Sequence, residues 1–423
     1  METGNRPARR DLAWLPPLFV LAAICLALSL ALYRLSGGGE VADDALRLAD
    51  FVRKPFALWG NYRAAGFSDT WGSFPPLLPP IFGMLVAPWL AALPDFIGFR
   101  MGVLTWTVAA FLMLHLILVR TGRAPAPHRR AALWLFALLP SVIGAASFIP
   151  QEEIYVSLFV LVLYLAARSG RRRLILPLLV LTMLAGKYFL LVLAAPLAFS
   201  GDRPWRRIVT WGAVCAAILA AYIGYHRVLF GLSPVVGHVL DPAASLSVWA
   251  LMWNVGLRPD PHVIRIASLA VTGGLVLLLS WRCRSARIPL PFSMAAALYV
   301  TLLCLSITFP AYVLWAVPLS LVCFALTGGR RHRILMIAML FLWGFGEWGA
   351  NFFRGVRLAL ETDRAAGKTA LAAAAERFLG ANFPYGAVHL ACIAAVIVSG
   401  IGMVVVLWRA GRLEALRQAQ AAQ

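Results

Sequence analysis

Apolar residues fill this chain in long runs, and short basic segments separate them. The first run, Leu15–Tyr33, is almost wholly apolar. Others follow at 96–119, 131–148, 154–167, 174–186, 188–199, 208–228, 263–281, 290–309, 312–326, 334–348 and 386–408. None shows the strict two-residue alternation of a barrel strand. In lipid, a helix pairs its backbone groups within one segment. The pattern therefore predicts an all-α polytopic membrane protein with about twelve transmembrane helices.

Two stretches break the rhythm. Residues 74–93 are apolar but carry Pro75, Pro76, Pro79, Pro80 and Pro88. If they crossed the bilayer, the basic segment at 120–130 would fall outside, against the positive-inside rule. They are expected to re-enter the membrane or lie along its interface. Around Lys187, basic segments on both sides demand two short, tilted helices that meet at the lysine. Three outer segments are expected, at 34–93, 231–262 and 350–385. We divide the chain into a first module, 1–230, and a C-terminal module, 231–423.

Composition supports the membrane reading. Of 423 residues, 61% are hydrophobic and only 13% charged, whereas soluble domains carry about a quarter charged residues. The net charge of +20 would suit a nucleic-acid partner, but its distribution excludes one. The arginines cluster at 6–10, 120–130, 168–173, 203–207, 282–287, 330–333 and 409–417, each against an apolar run. That is the mark of cytoplasmic loops, and it places both termini in the cytoplasm. The six cysteines show no metal-ligand or disulfide spacing and read as small apolar residues, with Cys283 in a basic loop.

The scarce acids gather elsewhere. Glu40, Asp43, Asp44, Asp50 and Asp69 share the first outer segment, and Glu152 and Glu153 occupy the tight turn "FIPQEEIY". Lys187, one of three lysines in the chain, falls at another outer turn. Carboxylates near a lysine suit chemistry in which a hydroxyl loses its proton and a phosphate departs. Plainer readings stand beside this one. Asp43 or Asp44 suits the N-cap of a helix starting at "ALRLADFV". Glu152 and Glu153 suit a turn, and Lys187 suits a snorkelling cation. Tyr312 and Trp315, like Trp253, Trp343 and Trp348, suit an interfacial aromatic belt. Glu347, in "WGFGEWG", reads as an acid near an outer helix end with Arg354 for a partner.

The order of these features resembles a known family. A first span and acidic loop precede "SFPPLLPP" at 73–80; then come "PQEEIY", "LAGKYFLLVLAAPL" and "FPAYVLWAVPL". This is similar to the GT-C superfamily of membrane glycosyltransferases, in its bacterial mannosyltransferase-like branch. Phe74 stands where that family has Tyr or His, and Gln151–Glu152–Glu153 replaces its Gln-x-Asp turn.

The resemblance implies a GT-C-like bundle with interfacial helices in the first outer loop. It also implies a site facing the periplasm or cell exterior, in a bacterial inner membrane. The donor would be a sugar on a polyprenyl phosphate, and the acceptor a glycan, lipid or protein hydroxyl. Asp44 or Asp43 would act as general base, with inversion at the anomeric carbon. Lys187, Glu152, Glu153, Glu40 and Tyr312 would bind substrate, with Lys187 on the lipid phosphate rather than on a glutamate. No metal site is evident in the spacing, although the acidic loop leaves a divalent cation open. The rival functions are a polysaccharide polymerase or ligase, and a secondary transporter.

Overall fold

Prolines and glycines cut the apolar runs into unequal helices. The protein is seen here as a computed structural model, which describes residues 12–35, 77–122, 124–148, 153–230, 246–305, 310–365, 387–421 and 423. Among these residues every regular element is helical. The α-helices are α1 (Leu15–Leu35), α2 (Leu78–Ala92), α3 (Asp95–Thr121), α4 (Ala126–Leu138), α5 (Pro140–Ile143), α6 (Glu153–Arg168), α7 (Ile175–Ala185) and α8 (Ala194–Phe199). They continue as α9 (Pro204–Phe230), α10 (Val248–Asn254), α11 (Pro261–Ser285), α12 (Leu290–Cys304), α13 (Val317–Leu326), α14 (Arg330–Ala365) and α15 (Ala387–Ala421).

Five of the described helices are long and apolar enough to cross a membrane alone, and a sixth span arises if α4 and α5 count as one. That pair bends by 47° at Leu139–Pro140, where proline removes a backbone donor and clashes with the preceding turn. Most other runs give shorter helices. Two of these meet at Lys187 as the charge pattern required: α7 ends at Ala185, and a 3₁₀ segment, Tyr188–Leu193, leads into α8. Another 3₁₀ segment, Pro310–Trp315, precedes α13.

The proline-rich stretch forms helix α2 from Leu78 to Ala92. It runs antiparallel along α3, with Trp89 Nε1 donating to Thr105 Oγ1 at 2.9 Å and Trp106 Nε1 donating to the Phe82 carbonyl at 2.9 Å. Two glycines one turn apart allow this approach. A Cβ on Gly98 would lie 2.7 Å from the Trp89 carbonyl oxygen, and one on Gly102 would lie 2.7 Å from Val86. Small residues at this spacing let helix backbones come together in lipid.

The core runs across the boundary at residue 230. Phe82, Phe99, Phe111, Phe136, Tyr155 and Tyr164 from the first part join Phe292, Tyr299, Trp315 and Trp343 from the second. Cys283, expected in a loop, is buried within α11. Hydroxyls inside the bundle bond back to their own helix, as Thr107 does to the Val103 carbonyl and Thr301 to that of Ala297. This satisfies them where water is absent.

Among the described residues, the basic segments meet at one end of the bundle. Arg168 Nη2 donates to the Thr121 carbonyl at 3.0 Å, and Arg172 pairs with Asp202 at 3.2 Å. Arg284 Nη1 donates to the Gly201 carbonyl at 2.6 Å. Arg333 reaches His128 and the Thr327 carbonyl, and Arg417 packs against Gly328. The loops that charge alone assigned to a common side are thus neighbours in space.

Candidate functional site

Two largely buried charges, Glu153 and Lys187, meet at helix ends. Helix α6 starts with Glu153, whose side chain is only 2% exposed. Lys187 stands in the extended link between α7 and its 3₁₀ continuation. Its Nζ lies 3.0 Å from Glu153 Oε1. The second carboxylate oxygen accepts the indole N–H of Trp315, from the 3₁₀ segment Pro310–Trp315. Tyr312, on that same segment, stacks on Trp315 with ring centroids 4.6 Å apart. The Lys187 ammonium stands 5.6 Å from the Tyr312 ring centroid, within reach of a cation–π contact.

Each residue sits where it does because the backbone there is irregular. Lys187 is extended, and the preceding Gly186 has φ −108° and ψ −107°. A continuous helix would turn Lys187 away in step with its neighbours. The 3₁₀ turn places residues three apart on one face, which aligns Tyr312 with Trp315.

The cluster is recessed. The Tyr155 ring meets Trp106 edge to face at 4.7 Å, and the Arg168–Thr121 bond links the far ends of α6 and α3. The two helices are therefore parallel. Glu153 stands roughly 22 Å from Arg168 at 1.5 Å per residue. Helix α3 continues beyond Trp106, away from the basic end, for roughly 16 Å to Asp95.

A second carboxylate braces the same 3₁₀ segment. Glu347 is 2% exposed and accepts the Trp343 indole N–H at 2.9 Å. It also hydrogen-bonds Ser141 and the backbone of Val313. Glu153 and Glu347 thus hold Pro310–Trp315 through Trp315 and Val313. The sequence placed Glu347 near a helix end, but α14 runs on to Ala365. The side chain of Arg354 lies outside the described residues. Spacing on one helix face offers the Trp343–Glu347 pair; nothing local offers Val313.

Several expectations change. Trp315 and Trp343 are 0% and 2% exposed and form no interfacial belt. Lys187, expected on a lipid phosphate rather than a glutamate, is partnered by Glu153. Asp43, Asp44, Glu40 and Glu152 lie outside the described residues, and so does any cation at the acidic loop. Among the described residues no group of three His, Cys, Asp or Glu could hold a metal. One contact does reach the edge of the acidic loop. The Leu77 amide donates to the Leu184 carbonyl at 2.8 Å, three residues before Lys187.

No family model, curated protein or solved structure matches this chain.

Proposed function

We propose that the protein is a membrane glycosyltransferase, moving a sugar from a polyprenyl-phosphate donor to an acceptor hydroxyl at the outer face of the membrane. The observation that carries this reading is the recessed Lys187–Glu153 pair beside the anchored end of the acidic loop. If the basic end marks the cytoplasmic interface, Glu153 falls in the outer part of a ~30 Å hydrocarbon layer. A lipid phosphate lies near the edge of that layer, and its sugar projects outward.

The chemistry then follows from charge. Asp44 or Asp43 takes the acceptor proton, and the hydroxyl attacks the anomeric carbon. The phosphate leaves with a negative charge, which Lys187 neutralises. A cation already balanced by Glu153 costs less to hold in lipid than a bare one. Tyr312 supplies a ring face beside the ammonium. The loop segment 36–76 would carry the base, and Leu77 would tether it.

The test is transfer of labelled sugar from polyprenyl-phosphate donors by the purified protein in proteoliposomes. Wild type should turn over, and Asp44→Asn or Asp43→Asn should lower the rate about 10²-fold. Absence of transfer from every hexose and pentose donor would sink the proposal.

One observation favours a second reading. Broken helices at Lys187, at Leu139–Pro140 and before Pro310 gather around buried charge, as in secondary transporters. Uptake of labelled solute into the same vesicles, without transfer, would select it.

A further inference from the structure

At the basic end, far along the bundle from Lys187, the start of α9 borders an open cavity of about 340 Å³. Arg203, Arg206, Arg207, Thr210, Trp211 and Asp202 line it. The Asp202 carboxylate is 3.2 Å from Arg172, so its charge is engaged by a partner from the preceding basic loop. Arg207 also packs on Gly201, whose carbonyl accepts from Arg284. What remains is a cationic recess with arginine donors and a hydroxyl, the chemistry that binds phosphate oxygens.

The occupant must also tolerate hydrocarbon. Within Pro204–Gly224, only 11% of the apolar span is buried in the protein. Ala213 and Ala217, which continue the stripe of Arg206 and Thr210 along α9, are exposed. A ligand seated among the arginines therefore meets an apolar helix face that no other described part of the chain covers. A soluble anion satisfies the first surface and leaves the second bare. A glycerophospholipid with an anionic headgroup satisfies both, its phosphate in the recess and its acyl chains along α9.

We infer that the cavity at the start of α9 is a binding site for the headgroup of an anionic phospholipid. The site fixes the basic end of the bundle at the headgroup level and is independent of the chemistry at Lys187.

Native mass spectrometry of the full-length protein in detergent, titrated with phosphatidylglycerol, phosphatidylcholine or inorganic phosphate, tests this. Wild type should retain phosphatidylglycerol in preference to phosphatidylcholine and gain nothing from phosphate. Arg203→Gln with Arg206→Gln should weaken that retention by about fivefold for each arginine removed. Arg409→Gln with Arg412→Gln makes the same charge change elsewhere on the basic end and should retain the lipid as wild type does. Arg206 is exposed, so Arg206→Gln alone provides a variant whose folding is not at stake. Equal retention of both lipids overturns the assignment, and so does equal loss in the Arg409/Arg412 control. Unchanged retention in the Arg206 variant or binding of inorganic phosphate alone has the same effect.

Discussion

At the residue scale, the most consequential group is the Lys187–Glu153 pair. A buried ion pair can add little net stability, because desolvating both charges offsets their attraction. Removing one partner is different, and costs about 3–5 kcal/mol because the other charge is stranded. Lys187→Met and Glu153→Gln should each lower the unfolding midpoint in detergent strongly. The double variant should recover much of the loss, since no uncompensated charge remains. Additive losses in the double-mutant cycle would mean that the two residues do not depend on each other. Activity separates the structural role from the proposed phosphate contact. Lys187→Arg keeps the charge and should retain part of the sugar transfer, short of wild type because a guanidinium fork differs in shape from an ammonium. The double variant, though stable, should stay inactive, because charge balance within the protein does nothing for a departing phosphate.

At the element scale, the decisive contact is between α2 and α3. Their approach needs Gly98, where a Cβ would lie 2.7 Å from a backbone oxygen. Backbone cannot rotate aside as a flexible side chain can. Gly98→Ala should therefore push the helices apart and cost about 1–3 kcal/mol, the usual penalty for overpacking. Loss of unfolding free energy in a denaturant titration checks the magnitude. The same shift should carry Leu77 away from Leu184, and so loosen the tether of the acidic loop beside Lys187. Sugar transfer should fall in Gly98→Ala although no charged group has changed. Full activity at reduced stability would show that α2 position and catalysis are uncoupled.

At the scale of the whole molecule, the described basic segments share one end. The positive-inside rule predicts that end to be cytoplasmic. Single cysteines at Ser169, Ser285 and Gly328, in a background lacking the native cysteines, should resist a membrane-impermeant thiol reagent in intact cells. All three should react once the membrane is opened. A cysteine at Leu257, which is exposed near the start of α11, lies beyond the opposite end of that helix and should react from outside. Labelling of Ser169→Cys in intact cells would invert the topology and move Lys187 to the inner leaflet, where a lipid-linked sugar donor facing outward is out of reach.

What the sequence determined by itself follows from averages over many residues. Long apolar runs separated by arginine dictate a helical membrane protein, because lipid offers the backbone no other partner than its own segment. Charge placement told which loops lie together. The break at Lys187 was legible too, from the basic segments on both sides of it; the 3₁₀ segment Pro310–Trp315 was not, since 290–309 and 312–326 each read as a span. The site depended on single contacts between segments distant in the chain. Glu153 meets Trp315 across 162 positions, and Val313 meets Glu347 from another helix. No local pattern distinguishes a tryptophan at a lipid interface from one buried beneath a carboxylate. Both ask for an apolar body and one polar partner. Only packing decides which partner it is: the closeness allowed by Gly98 and Gly102, together with the helix breaks that bring Lys187, Glu153 and Tyr312 into one recess.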